Sequence, residues 1–200
     1  KGNSSWNVGY PSQEGMKTDD VDFIVKLSRH IAREFGLSRE NVFLTGMSNG
    51  GEMCYLTAQK KPKACKAIAS IAGLTLTDMM PLRYRRPVPF MEVHGTEDRT
   101  SEWTGDPFNE GGWGAYLAVP VSISYIIAAN GCISETTTRL PLREGRNQVI
   151  LHHFQGGKPA FKGGPAADVL LYEVIGGNHS WSDKDMDTCD AIWSFFSRYL

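Results

Sequence analysis

The 200-residue chain has no apolar run approaching the ~20 residues that a membrane-spanning helix requires, so no membrane contact is expected from it. It also lacks a charge bias. Its 21 Lys and Arg stand against 22 Asp and Glu, a net charge of −1. That removes the electrostatic footprint that nucleic acid or an acidic membrane surface would need. Its cysteines are few: Cys54, Cys65, Cys132 and Cys189 form no CxxC pair, and none stands at metal-ligand spacing with the five histidines. No metal and no cofactor is therefore expected. The four thiols leave two readings open, one or two disulfides or free buried cysteines. No internal repeat or low-complexity segment breaks the chain. The polar start "KGNSSWNVGY" holds no apolar leader and reads as that of a mature or trimmed chain.

What is present is an ordinary globular composition, 41% hydrophobic and 22% charged, in a length that suits one domain over residues 1–200. The clearest helix is "TDDVDFIVKLSRHIAREFG" (18–36). In it Val21, Ile24, Val25, Ser28, Ile31, Ala32 and Phe35 recur at spacings of three and four, predicting one core-facing stripe. Thr18 or Asp19 can cap it, and Gly36 supplies its stop. Short apolar runs at 42–46, 67–73, 87–95 and 168–177 read as buried parallel strands. Helices are predicted from Asn49 to before Pro62, over 120–131, and at the C-terminus. "TTTRLPL" and "NQVILHHFQ", joined by "REGR", read as a hairpin within 136–155. Strands alternating with helices predict an α/β fold with a mainly parallel sheet.

One break carries chemistry. "FLTGMSNGGEM" places Ser48 between Gly46 and Gly50 where a strand gives way to a helix. Ligands of open α/β sheets bind at the carboxyl ends of strands. A serine on such a sharp turn projects its oxygen outward, beside helix amides that favour developing negative charge. The same pattern fits a plain glycine-rich turn with a capping serine, so the partners must decide. A nucleophilic serine needs a base and an orienting acid, in the order Ser, Asp or Glu, His on this scaffold. Strand 87–95 is followed by Glu97 and Asp98, and strand 168–177 by His179. The short side chain of Asp98 suits the tight loop better than Glu97, and Asp106 lies deeper in the loop. His30 sits within a helix, His94 precedes the acid and reads as a structural support, and His152 and His153 fall in the hairpin.

Together "NVFLTGMSNGGEM", "VPFMEVHGTEDR", "AANGC" and "GGNHSW" resemble the polyhydroxybutyrate depolymerase-type esterases, the α/β-hydrolase group that includes feruloyl and acetylxylan esterases of carbohydrate esterase family one. The resemblance runs from about residue 18 to residue 200. It implies Ser48 as nucleophile, Asp98 as acid, His179 as base, and the Asn49 N–H as one oxyanion donor. It further implies acyl transfer through an acyl-enzyme, and a secreted or periplasmic location. Members of the group begin with further strands and a histidine-glycine loop that supplies the second oxyanion amide. Nothing in "KGNSSWNVGYPSQEGM" matches that loop, so the chain reads as the C-terminal portion of the domain, completed by a further N-terminal segment. The loop 97–116 and the hairpin 136–155 are expected near the active-site face. Trp103, Trp113 and Trp181 are candidates for an aromatic platform, with Trp103 and Trp181 taken as the substrate-binding pair. The expected substrate is a feruloyl or acetyl ester on plant cell-wall polysaccharide. A polyhydroxyalkanoate depolymerase and a non-catalytic carbohydrate-binding module are the alternatives.

Overall fold

The computed structural model describes residues 4–79 and 84–200. Six strands form one sheet: β1 (Phe43–Met47), β2 (Ala67–Ile71), β3 (Phe90–Gly95), β4 (Ser134–Arg139), β5 (Val149–Gln155) and β6 (Val169–Val174), in the order β1-β2-β3-β6-β5-β4. The first four in that order run parallel, and β5 and β4 join antiparallel. The helices are α1 (Asp20–Glu34), α2 (Asn49–Lys60), α3 (Val119–Asn130) and α4 (Thr188–Ser197). Each βα crossover carries helices to one face or the other, so β2 and β3 are buried along their whole length.

The period of two along a strand divides the core. On β2, Ala67, Ala69 and Ile71 pack with Phe195 and Phe196 of α4 and with Tyr199 just beyond it, while Ile68 turns to the opposite face. There it meets Tyr55 of α2, Phe90 of β3, and Ile123 and Ile126 of α3. A third cluster joins Val8 and Tyr10 of the N-terminal segment to Val21, Met53 and Leu56.

Three points of the sequence reading meet the structure. The turn of the hairpin lies at the carboxyl end of β6, near the candidate site as expected: Val149 pairs with Val174, and Ile175 N–H donates to Gln148 O (2.9 Å). The hairpin extends the sheet beyond β6, and β4, with its residues SETTTR all exposed, forms a polar edge that discourages further pairing. The apolar stripe of α1 is narrower than its periodicity predicts. Val21, Val25 and Ala32 are buried, but Ile31 and Phe35 are exposed; α1 rests on α2, where Val21 packs with Met53 and Leu56. The cysteine question is settled for the described residues: all four thiols are free.

Candidate active site

Because β1, β3 and β6 are parallel, the residues that follow them gather at one end of the sheet. Ser48 follows β1, Asp98 lies three residues past the end of β3, and His179 five past β6. Ser48 has φ 56° and ψ −122°, a left-handed conformation that is costly for a side-chain-bearing residue. Its N–H donates to the Ile71 carbonyl (2.9 Å), and its own carbonyl accepts from Glu52 N–H (2.9 Å), which holds the turn shut. A Cβ on Gly46 would stand 2.6 Å from the Gly50 backbone, and one on Gly51 would stand 2.7 Å from Ser70 Oγ and 2.9 Å from Gly73 Cα. Gly50 itself faces open space. The tight packing thus falls on Gly46 and Gly51, not on Gly46 and Gly50 as the motif suggests.

The turns after β3 and β6 are laced together. Glu97 N–H donates to Gly177 O (2.9 Å), Thr96 N–H to Val174 O (2.9 Å), and Gly176 N–H to Thr96 Oγ1 (2.8 Å). A Cβ on Gly95 would collide with Gly177 O. This close seam brings His179 Nδ1 within 2.7 Å of Asp98 Oδ2. Asp98 is buried, and its other oxygen accepts the N–H groups of Thr100 (2.8 Å) and Ser101 (2.9 Å). Burial alone raises the Asp98 carboxyl, but the hydrogen bonds from His179, Ser101 and Thr100 outweigh it and hold the group below the ordinary carboxylate range. Glu97 is exposed, and Asp106 spends its carboxylate on Glu110 and Gly111 N–H in its own loop. Among the three acids, Asp98 alone reaches His179.

With Nδ1 donating to Asp98, the Nε2 of His179 is left to act as a base. Among the described residues no hydrogen bond joins Ser48 Oγ to that ring. In unliganded sites such bonds are often long and tighten around the reacting group. The imidazole is 22% exposed, and Ser48 and Glu52 line one cavity. That cavity encloses about 620 Å³, with Tyr10, Asn49, Leu74 and Trp113 on its walls. Asn49 opens α2, so its N–H has no intrahelical acceptor and is placed to donate to an oxyanion.

Two groups escape the motif. Glu52 stands four residues after Ser48, one helical turn along the same face, and is buried with its carboxylate accepting from the Tyr10 hydroxyl. Burial pushes its carboxyl up to about 7, against the pull of the hydrogen bonds with Tyr10 and Asn49. The i,i+4 spacing from the serine was the available signal. The Asn49 side chain accepts from Trp6 N–H (2.6 Å) and donates to Trp6 O (3.1 Å), clamping the N-terminal segment over α2. Of the tryptophans, Trp113 flanks the cavity and packs on Tyr10, with ring centroids 5.6 Å apart. Trp103 instead packs against the core and the edge of His94, and Trp181 against the α4 cluster, so neither lines that cavity. His30 pairs with Arg33, and His152 and His153 engage carboxylates of the hairpin and β6 region.

A model of the prolyl oligopeptidase family matches residues 12–110. In overall structure the chain is similar to acetyl xylan esterase from Aspergillus awamori, with a TM-score of 0.57 at 12% identity, covering 90% of this chain and 67% of that one. It is also similar to esterase PE8, with a TM-score of 0.53 at 16% identity, covering 90% and 60%. The chain has the α/β-hydrolase fold. In sequence the chain is 26% identical over 199 residues to feruloyl esterase D of Neurospora crassa, covering 96% of this chain. It is 25% identical over 200 residues to a bifunctional acetylxylan esterase/xylanase of Neocallimastix patriciarum, covering 99% of this chain. It spans 59% and 25% of those two proteins.

Proposed function

We propose that this chain is a serine esterase in which Ser48, His179 and Asp98 act as a triad, within one catalytic domain over residues 1–200. The observation that carries the reading is the Asp98–His179 hydrogen bond at the end of the sheet that also bears a strained Ser48 on the wall of a cavity. His179 Nε2 takes the Ser48 hydroxyl proton as Oγ attacks the ester carbonyl. The oxyanion that forms is met by the Asn49 N–H. Collapse breaks the bond to the alcohol, which leaves with the proton held by His179. Water, deprotonated by His179, then attacks the acyl-enzyme and releases the acid with Ser48 restored.

The substrate we assign is a feruloyl or acetyl ester on plant cell-wall polysaccharide, met by a secreted protein. The names of the two sequence relatives support that class, and the cavity fits it, with Trp113 as an aromatic wall and Leu74 beside it. The test is release of ferulate, acetate and hydroxybutyrate oligomers from their respective polymers under one set of conditions. Ferulate or acetate release at least tenfold above hydroxybutyrate release is expected. The reverse order selects polyhydroxyalkanoate depolymerisation. Binding of the polysaccharide by folded protein without any turnover selects a non-catalytic module.

A further inference from the structure

Beneath the Asp98 turn lies a pair that the proposed mechanism leaves unused. Glu92 and His94 project from β3 with their side chains fully buried. His94 Nε2 stands 2.7 Å from the Ser101 carbonyl oxygen, which can only accept, so Nε2 carries a proton. Nδ1 stands 2.9 Å from Glu92 Oε1. That oxygen also accepts from Gly73 N–H (3.2 Å), and Oε2 accepts from the Tyr55 hydroxyl (3.1 Å). One proton lies between Nδ1 and Oε1, and its place decides the charge. A carboxyl already receiving a peptide N–H and a phenol is satisfied as an anion, which leaves the proton on the ring.

The charged ring would face Asp98. His94 Nε2 is 3.7 Å from Asp98 Oδ2, the oxygen that accepts from His179. Ser101 ties the two groups a second time, its carbonyl on His94 and its N–H on Asp98 Oδ1. We infer that Glu92 and His94 form a buried carboxylate–imidazolium pair that positions the Asp98 turn and holds Asp98 ionised. His94 is then a positioning residue, and the inference rests on the proposed role of Asp98 as the acid of the site. Burial by itself lowers His94, but the Glu92 hydrogen bond and charge, the Ser101 carbonyl and Asp98 outweigh it and raise the ring. The remaining neighbour, the edge of Trp103 at 6.1 Å between ring centroids, carries no charge.

Nuclear magnetic resonance on the protein labelled with 15N-histidine and 13C-aspartate tests this without any turnover. Both ring nitrogens of His94 should carry protons at neutral pH, where an ordinary imidazole is mostly neutral. In Glu92→Gln the amide donates to Nδ1 and leaves His94 neutral, at the expense of the Gly73 N–H contact. The midpoint of the Asp98 carboxyl should then rise by about one pH unit, because the nearer, positive end of the pair has gone. A His94 ring with one bare nitrogen in the wild type overturns the inference, as does an unmoved Asp98 midpoint in the variant. Should Glu92→Gln not fold, the wild-type protonation state alone decides. An inactive but folded wild type would refute the proposed function and leave both readouts in force.

Discussion

The buried Glu52 makes a prediction about stability. Its residue is 2% exposed and its carboxyl is raised from 4.5 to about 7, first by burial. The native state therefore holds a proton on Glu52 between pH 4.5 and about 7 that the unfolded state has lost. Stability attributable to this group falls as pH rises through that window, then levels off above it. At ~1.4 kcal/mol per pH unit, the total comes to about 3 kcal/mol. Glu52→Gln keeps an oxygen to accept from the Tyr10 hydroxyl and removes the charge. Urea unfolding of the two proteins at about pH 4 and about pH 8, extrapolated linearly to water, isolates the effect. Near pH 4 the two should agree within about 1 kcal/mol, since the carboxyl is neutral in both states. Near pH 8 the variant should be more stable, by up to about 3 kcal/mol. A difference that is constant with pH, or an advantage of the wild type that grows at alkaline pH, refutes the reasoning.

The glycines of the serine turn separate by a paired measurement. Gly46→Ala should cost more than about 2 kcal/mol, since the new Cβ meets Gly50 backbone at 2.6 Å. Gly50→Ala, in open space on α2, should be neutral or stabilising by up to about 1 kcal/mol in thermal unfolding. Asp98→Asn should lower kcat on an aryl acetate by roughly 10³–10⁴, because Asn cannot hold the Nδ1–H tautomer of His179, while circular dichroism stays native. Trp113→Ala should raise KM for a feruloyl ester several-fold with acetyl turnover nearly unchanged, and an equal loss on both substrates would remove the aromatic wall from the account.

The parallel sheet and the end of it that matters were legible in the sequence because buried parallel strands announce themselves as apolar runs, and β2, β3 and β6 are such runs. Once Ser48, Asp98 and His179 each followed a strand, their convergence needed no long-range information. What the sequence hid depended on neighbours. The α1 periodicity cannot report that the helix rests on α2, so Ile31 and Phe35 look like core residues and are exposed. The hairpin pattern fixes the β4–β5 pairing but not its attachment to β6, which depends on a strand outside the pattern. Tryptophans show no periodicity to tell a platform from a packing residue. Only coordinates set Trp113 on the cavity and Trp103 against His94. Glu52 and Tyr10 meet across 42 residues, a separation no local pattern spans.

The central claim is that one serine oxygen becomes nucleophilic through the Asp98–His179 pair. Reaction with a fluorophosphonate probe, followed by peptide mapping, tests it most directly. The account predicts one adduct, on Ser48, absent from Ser48→Ala, strongly slowed in His179→Ala and unchanged in Ser180→Ala. A folded wild type that takes no label, or an adduct that persists in Ser48→Ala, would contradict it.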